Sequence, residues 1–275
     1  MAVDRAPAAT VSVPDPAAVA PVAGTIKGWG GGAGVSALLM RPEDEWALRA
    51  AVTGCAANGT PPSPGARGAI ARGMGRSYGD AAQLSGGLVL DVTRLKGFQL
   101  DERRGTVLAR AGTTIGELLH ALVPAGWMVP VLPGTQHVSV GGAIASDIHG
   151  KSHGTAGTFG SHVRALGLLN GAGEVLELER GRDDELLDAT IGGMGLTGVI
   201  LWAQIAMLPV TSALLSVDTD RVQTLDDTLA ALCAPGGPYR VAWLDLLGSS
   251  PARGVITRAE HLPGDAGPGL PAGGA

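Results

Sequence analysis

The chain has 275 residues, a net charge of −5 and 45% hydrophobic residues, enough for one large domain or two smaller ones with a real core. Charged residues make up only 16% of it, and no basic stretch points to nucleic acid as a partner. No apolar run is long enough to span a bilayer, and the two cysteines, Cys55 and Cys233, form no spaced motif, which fits a reduced compartment or simple burial better than a disulfide framework.

Residues 1–24 are Ala/Pro-rich and lack a sustained apolar segment, so they are expected to be a disordered lead-in and not a signal peptide. On sequence alone the chain therefore reads as cytoplasmic. The low-complexity tail over residues 263–275 leaves the folded part between about Gly28 and Leu262. Residues 41–57 have a proline entry and the acidic first turn Glu43-Asp44-Glu45, a well-signalled helix. Strands are predicted over 68–72, 88–92 and 106–111. A helix over 115–122 follows, capped by Thr113 or Thr114, with Glu117 completing an S/T-x-x-E pattern. Residues 129–132 lead as an extended segment into LPGTQHVSVGGAIASDIHGKSH, in which a short helix is expected to open at Gly141-Gly142 with its first amides free. Residues 162–169 and 174–178 flank Asn170-Gly171-Ala172-Gly173, a hairpin signal. Residues 183–190 read as a helix and 199–208 as a long strand ended by Pro209. Beyond it, 214–217, a helix over 224–232 and 241–246 look like the opening of a second unit. Alternation of strands and helices without repeats gives an α/β or α+β fold.

Two glycine-rich segments carry the chemistry. Arg72-Gly73-Met74-Gly75-Arg76-Ser77-Tyr78-Gly79-Asp80 follows a strand, and its turn would offer amides and arginines to a diphosphate. An arginine about 4 Å from a phosphate contributes on the order of 4 kcal/mol at an effective dielectric of about 20. The alternative is an ordinary glycine turn with solvated arginines. Together with Pro133-Gly134-Thr135 and Gly141-Gly142, it describes two glycine turns gripping one long polyanionic ligand, and a flavin dinucleotide suits that better than a mononucleotide. Gly193-Met194-Gly195-Leu196-Thr197-Gly198 spells G-x-G-x-x-G, but a helix precedes it and a strand follows, the reverse of a dinucleotide fingerprint. His149 and His153 are four apart, yet Gly150 and Gly154 interrupt the helix that a metal pair would need; no metal site is expected. Ser77 and Asp80 lack a G-x-S-x-G elbow, so a hydrolase triad is weak.

The combination GWG (28–30), ARGMGRSYGD, VPVLPGT, VGGAIASDIHGKSH, FGSHVR and GGMGLTGVI resembles the FAD-linked oxidases with a vanillyl-alcohol-oxidase type (PCMH) flavin domain. Within them it is most similar to the branch that oxidises a polyprenylphosphoryl ribose for arabinan and cell-wall synthesis. The resemblance is dense over residues 25–210 and thin through Trp243-Leu244-Asp245. It implies an α+β fold: a two-subdomain FAD-binding domain over 25–210 and an incomplete α+β substrate domain over 211–262. It implies that Arg72, Gly73, Met74, Gly75, Arg76, Ser77, Tyr78, Gly79 and Asp80 wrap the FAD pyrophosphate, with Gly134, Thr135, Gly141 and Gly142 completing it. Ser146, Asp147, Ile148 and His149 would lie along the flavin and Ile200 at the adenine end. His149 and Lys151 would stand at the flavin–substrate boundary, Tyr78 at the entrance and Trp243 on the substrate side. Relatives that bind FAD covalently use a histidine where this chain has Arg76, so noncovalent FAD is expected. The implied chemistry is oxidation of the ribose C2 hydroxyl to a ketone, with a separate reductase completing an epimerisation at the cell envelope. Family members are longer, and a functional lysine is expected in a C-terminal part that this chain lacks, so weak turnover is expected. An alditol or aldonolactone oxidase of the same superfold, or a non-catalytic FAD-binding remnant, are the alternatives.

Overall fold

The computed structural model describes residues 20–57, 68–248 and 253–264. Residues 1–19 of the expected lead-in and 265–275 of the expected tail lie outside the described residues, as does the side chain of Cys55.

A first sheet is built from β1 (Val22–Ile26), β2 (Val35–Met40), β3 (Ala69–Arg72) and β4 (Leu88–Asp91), in the order β1-β2-β4-β3. β4 runs parallel to both β2 and β3, while β1 pairs antiparallel with β2. Leu88, Val89 and Leu90 of β4 are all buried, the continuous apolar run expected of a parallel strand covered on both faces. Helix α1 (Glu45–Ala57) links β2 to β3. It starts after Pro42, Glu43 and Asp44, and Asp44 Oδ1 accepts from the Ala47 N–H at 2.8 Å, so the cap lies at Asp44 and not at the proline entry.

The second sheet is antiparallel throughout. It comprises β5 (Phe98–Asp101), β6 (Thr106–Arg110), β8 (Val163–Leu169), β9 (Val175–Glu179) and β10 (Val199–Ala206), ordered β5-β6-β10-β8-β9. Between β6 and β8 come α2 (Ile115–Leu122), the two-residue β7 (Trp127–Met128), α3 (Val140–Ala145) and α4 (His153–Ala156). α5 (Asp184–Thr190) precedes β10. The capping box of α2 is present: Thr114 Oγ1 accepts from the Glu117 N–H at 3.1 Å and Glu117 Oε2 from the Thr114 N–H at 2.8 Å. The apolar faces of α2 and α3, carried by Ile115, Leu118, Val140 and Ile144, pack with Val107, Leu166, Ala203 and Ile205 of the sheet. Leu48 and Val52 of α1 and Leu88 and Leu90 of β4 meet Leu169, Val199 and Leu201 in one cluster, which joins the two sheets through a shared apolar layer.

A third sheet, β12 (Leu215–Val222), β13 (Tyr239–Asp245) and β14 (Arg253–His261), has the order β12-β14-β13, with α6 (Leu225–Cys233) between β12 and β13. It meets the preceding part where Tyr239 packs with Met128 and Val210. There the Arg240 N–H donates to Lys151 O at 2.8 Å, and Tyr239 Oη and His261 Nε2 are 3.0 Å apart.

Several expectations need correction. Residues 22–24, placed in a disordered lead-in, belong to β1; its Ala/Gly content carries little strand signal, and pairing with β2 supplies the order. β2, β5 and β14 were not anticipated. Pro209 does not terminate the long strand but sits in β11 (Leu208–Pro209), which pairs with β7. Cys233 is exposed, so burial does not account for it.

Candidate functional site

A cleft of about 610 Å³, within the range of small-molecule and cofactor pockets, is lined by the loop after β3 of the first sheet and by α3, its flanking loops and β10 of the second sheet. The loop after β3 forms one wall, with Gly73, Met74, Gly75, Arg76, Ser77 and Tyr78. Gly134 and Thr135 in the loop before α3, Gly141 and Gly142 in α3, Ser146 and Ile148 just past it, and Ile200 of β10 form a second wall. Segments far apart in the chain are therefore brought to one ligand-sized space.

The first wall is a set of unpaired donors. Among the described residues, none of the backbone N–H groups from Met74 to Asp80 has an acceptor within the molecule, and the Ser77 hydroxyl is likewise without a partner. The carbonyls behave differently: Ser77 O accepts from Trp29 N–H at 2.8 Å and Tyr78 O from Gly30 N–H at 3.2 Å. The 28–30 loop thus ties down the outer edge of the turn and leaves its amides available, an arrangement that suits phosphate oxygens. Arg76 lies 4.5 Å from the centroid of the Trp29 ring, and its Nη1 donates to Met74 O at 2.8 Å, so the cation is held beside those amides.

The second wall corrects an expectation. The amides at the start of α3 are not free. Val140 N–H donates to Thr113 O at 2.8 Å, Gly141 N–H to Ala111 O at 2.9 Å and Gly142 N–H to the N-cap Ser139 Oγ at 3.3 Å. Gly141 and Gly142 lie inside the helix, and their value is the missing side chain. A Cβ at Gly141 would come 3.0 Å from Ala111 Cβ, and one at Gly73 would come 2.1 Å from Ser139 Oγ. At Gly134 the situation is reversed: no atom lies within 4 Å of where a Cβ would stand, so the backbone borders open cleft.

Other expected site residues lie off the lining. Arg72 is a brace, donating to Ala82 O at 3.2 Å and Lys27 O at 2.9 Å. Burial pushes its guanidinium down from the ordinary value, against the opposing effect of Asp91, and an arginine remains a cation regardless. Gly79 and Asp80 are exposed beyond the lining part of the same loop. Asp147 turns its carboxylate away to accept from Gly160 N–H at 2.8 Å. His149 and Lys151 are exposed and follow the lining residue Ile148, with the His149 and His153 rings 5.4 Å apart. Trp243, 74% exposed, lines a separate hollow at the far end of the third sheet. Among the described residues no group of three or more His, Cys, Asp and Glu is placed to hold a metal ion.

Trp29, His137, Ser139, Met194, Gly195 and Gly198 line the cleft without having been singled out as site residues. For the last three a signal existed, since the G-x-G-x-x-G spelling at 193–198 marks a turn that wraps something, although its helix-before-strand setting (α5, then β10) is not that of a dinucleotide fingerprint.

The donor-lined turn at one side, the open glycine edge at Gly134 and the apolar surface of Val138, Ala145, Ile148 and Ile200 fit a dinucleotide carrying a diphosphate and flat rings. Residues 36–179, more than half of the chain, match the family model described as FAD binding domain. The decaprenylphosphoryl-beta-D-ribose oxidase of Mycolicibacterium smegmatis is 42% identical over 251 residues, 86% of this chain and 53% of that protein. An uncharacterized protein of Streptomyces coelicolor is 42% identical over 159 residues, 56% of this chain and 43% of the relative. The L-gulonolactone oxidase 3 of Arabidopsis thaliana is 36% identical over 102 residues, 34% of this chain and 17% of the relative. The chain thus spans about half the length of the first of these relatives or less. Matched over more than half of its residues and built around a cleft of the right size and chemistry, the chain belongs to the FAD-binding domain family of FAD-linked oxidases.

Proposed function

We propose that the cleft holds FAD without a covalent bond, and that the chain serves oxidation of the C2 hydroxyl of a polyprenylphosphoryl ribose to the 2-keto sugar. The observation that carries the cofactor half is the unbroken run of amides from Met74 to Asp80, without partners among the described residues, beside Arg76. Those donors would take the pyrophosphate oxygens, and Arg76 would add a charge-assisted contact. Bound FAD supplies hydride acceptance. The protein's share is to orient the sugar carbon and exclude water. Ser146, Ile148 and Ile200 would form the surface against the rings, with Gly134, Thr135, Gly141 and Gly142 admitting the backbone close to the cofactor. Arg76 stands where a covalent attachment would require a histidine, which supports the noncovalent form. Tyr78, 80% exposed on the lining, is assigned to the entrance, and His149 and Lys151 to the sugar-phosphate side.

The substrate half is supported by the 42% identity over 251 residues to an oxidase whose name specifies a lipid-linked ribose. Trp243 is assigned to that side, and a separate reductase would consume the ketone to complete an epimerisation. No helix among the described residues is long and apolar enough to cross a membrane. A second reading, oxidation of an aldonolactone, is favoured by the 36% identity over 102 residues to a gulonolactone oxidase.

Protein mixed with FAD and desalted is expected to stay yellow and, on acid precipitation, to release its flavin into the supernatant. Anaerobic addition of a polyprenylphosphoryl ribose is expected to bleach the flavin, and a gulonolactone is not. A folded but colourless product would end the cofactor reading; yellow protein that only the lactone bleaches would favour the second.

A further inference from the structure

Among the described residues three non-glycine residues have positive φ: Ala82 at 57°, Asp147 at 41° and Met194 at 53°. All three sit at the cleft, since Ala82 and Met194 line it and Asp147 lies between the lining residues Ser146 and Ile148. Left-handed backbone at such residues is strained, and the strain persists only where the surroundings over-determine it. For two of them the chain itself supplies the reason. Ala82 is held through its carbonyl, which accepts from the half-buried Arg72 Nη1 at 3.2 Å. Asp147 receives the Gly160 N–H on its carboxylate at 2.8 Å.

Met194 is different. Its amide donates to Ala145 O at 2.8 Å, a bond any residue could make. The neighbouring left-handed positions are glycines, Gly192 at 72° and Gly195 at 80°. The Met194 side chain is absent from the apolar clusters of the core and is 45% exposed. Its polar contact is a hydroxyl donated by Ser146 to Sδ at 3.9 Å, and Ser146 also lines the cleft. A long thioether is therefore held over the cleft at a backbone position suited to glycine, without returning packing to the core.

We infer that Met194 is a cofactor-contact residue whose thioether packs against a flat aromatic heterocycle of the bound dinucleotide, a pairing that sulfur favours. This rests on the FAD reading of the cleft and goes beyond it by giving a ligand role to a turn that otherwise calls for glycine. The isoalloxazine and the adenine share the relevant chemistry, and the test separates them.

The full chain is compared with M194G and M194L for thermal unfolding without cofactor and for FAD affinity by quenching of flavin fluorescence. M194G is expected to raise the cofactor-free melting temperature by roughly 2–4 °C, because glycine relieves the strained φ. The same variant is expected to weaken FAD binding roughly 3- to 10-fold. M194L, which keeps bulk and strain, is expected to melt close to the parent and to lose less affinity than M194G. A shifted visible flavin band in M194G assigns the contact to the isoalloxazine; the same affinity loss with an unchanged band assigns it to the adenine. The inference is overturned if M194G melts lower than the parent or fails to fold, or if its FAD affinity stays within about twofold of the parent's. A parent chain that takes up no FAD sinks the reading of the cleft itself, whereas a parent that binds FAD beside an unaffected M194G sinks only the role of Met194.

Discussion

The two glycine segments that border the cleft look alike as text and do opposite things. From Met74 to Asp80 the backbone amides have no partner among the described residues, and the carbonyls of Ser77 and Tyr78 are tied to the 28–30 loop. At Gly141-Gly142 both amides are already spent, on Ala111 O and Ser139 Oγ, and the glycines contribute only the absence of a side chain. The first segment is a donor surface; the second is a close-packing surface. A glycine pair thus says that a backbone comes near something, and the hydrogen-bond partners decide whether that something is a ligand or the protein itself.

The largest effect expected is at the point where the two segments touch. Gly73→Ala drives a methyl group into Ser139 Oγ, a buried cap, and is expected to cost about 1–3 kcal/mol of stability in a denaturant titration, together with lost FAD uptake. Unchanged stability would mean that the segments are less tightly joined than their contact implies. Next comes Arg76→Ala, which should separate ligand binding from folding. FAD affinity is expected to fall about tenfold, or about 1.4 kcal/mol, more at low salt than at high, with the melting temperature nearly unmoved; a collapse of the fold instead would make Arg76 a brace like Arg72.

Ser139→Ala tests the other side of the comparison. It removes the N-cap of α3 and is expected to lower stability by about 1 kcal/mol, with a smaller effect on FAD affinity than Arg76→Ala. If affinity fell more than stability, the α3 end would be a donor site after all. The smallest effect is a control outside the cleft, at the capping box of α2. Burial pushes the Glu117 carboxyl up, but hydrogen bonds from Lys96 and from the Thr114 amide and hydroxyl outweigh it and hold the group below the usual glutamate value. A lowered folded-state pKa stabilises above the unfolded value of about 4.3 and is lost as pH falls through the folded one. Glu117→Gln should therefore cost less than about 1 kcal/mol at neutral pH, since the side chain is 41% exposed and solvent screens its ion pair, and should flatten part of the stability loss below about pH 4 without changing flavin uptake.

What the sequence determined by itself was whatever is encoded within a few residues or a recognisable string. Thr113 or Thr114 with Glu117 announced the start of α2, Asn170 and Gly173 the turn between β8 and β9, and the Arg72–Asp80 motif the family and, through Gly73 to Tyr78, the cleft wall. Only the tertiary structure decided the features that depend on distant partners. β1 exists because β2 pairs with it, β14 because β12 and β13 flank it, and the Val140 and Gly141 amides of α3 are satisfied by carbonyls on the segment before α2. Met194 reaches the cleft wall because its amide meets Ala145 across the fold. Local signals are legible because capping, turns and periodicity act over one or two helical turns, whereas strand pairing and the fate of each amide are settled by which segments the folded core brings together.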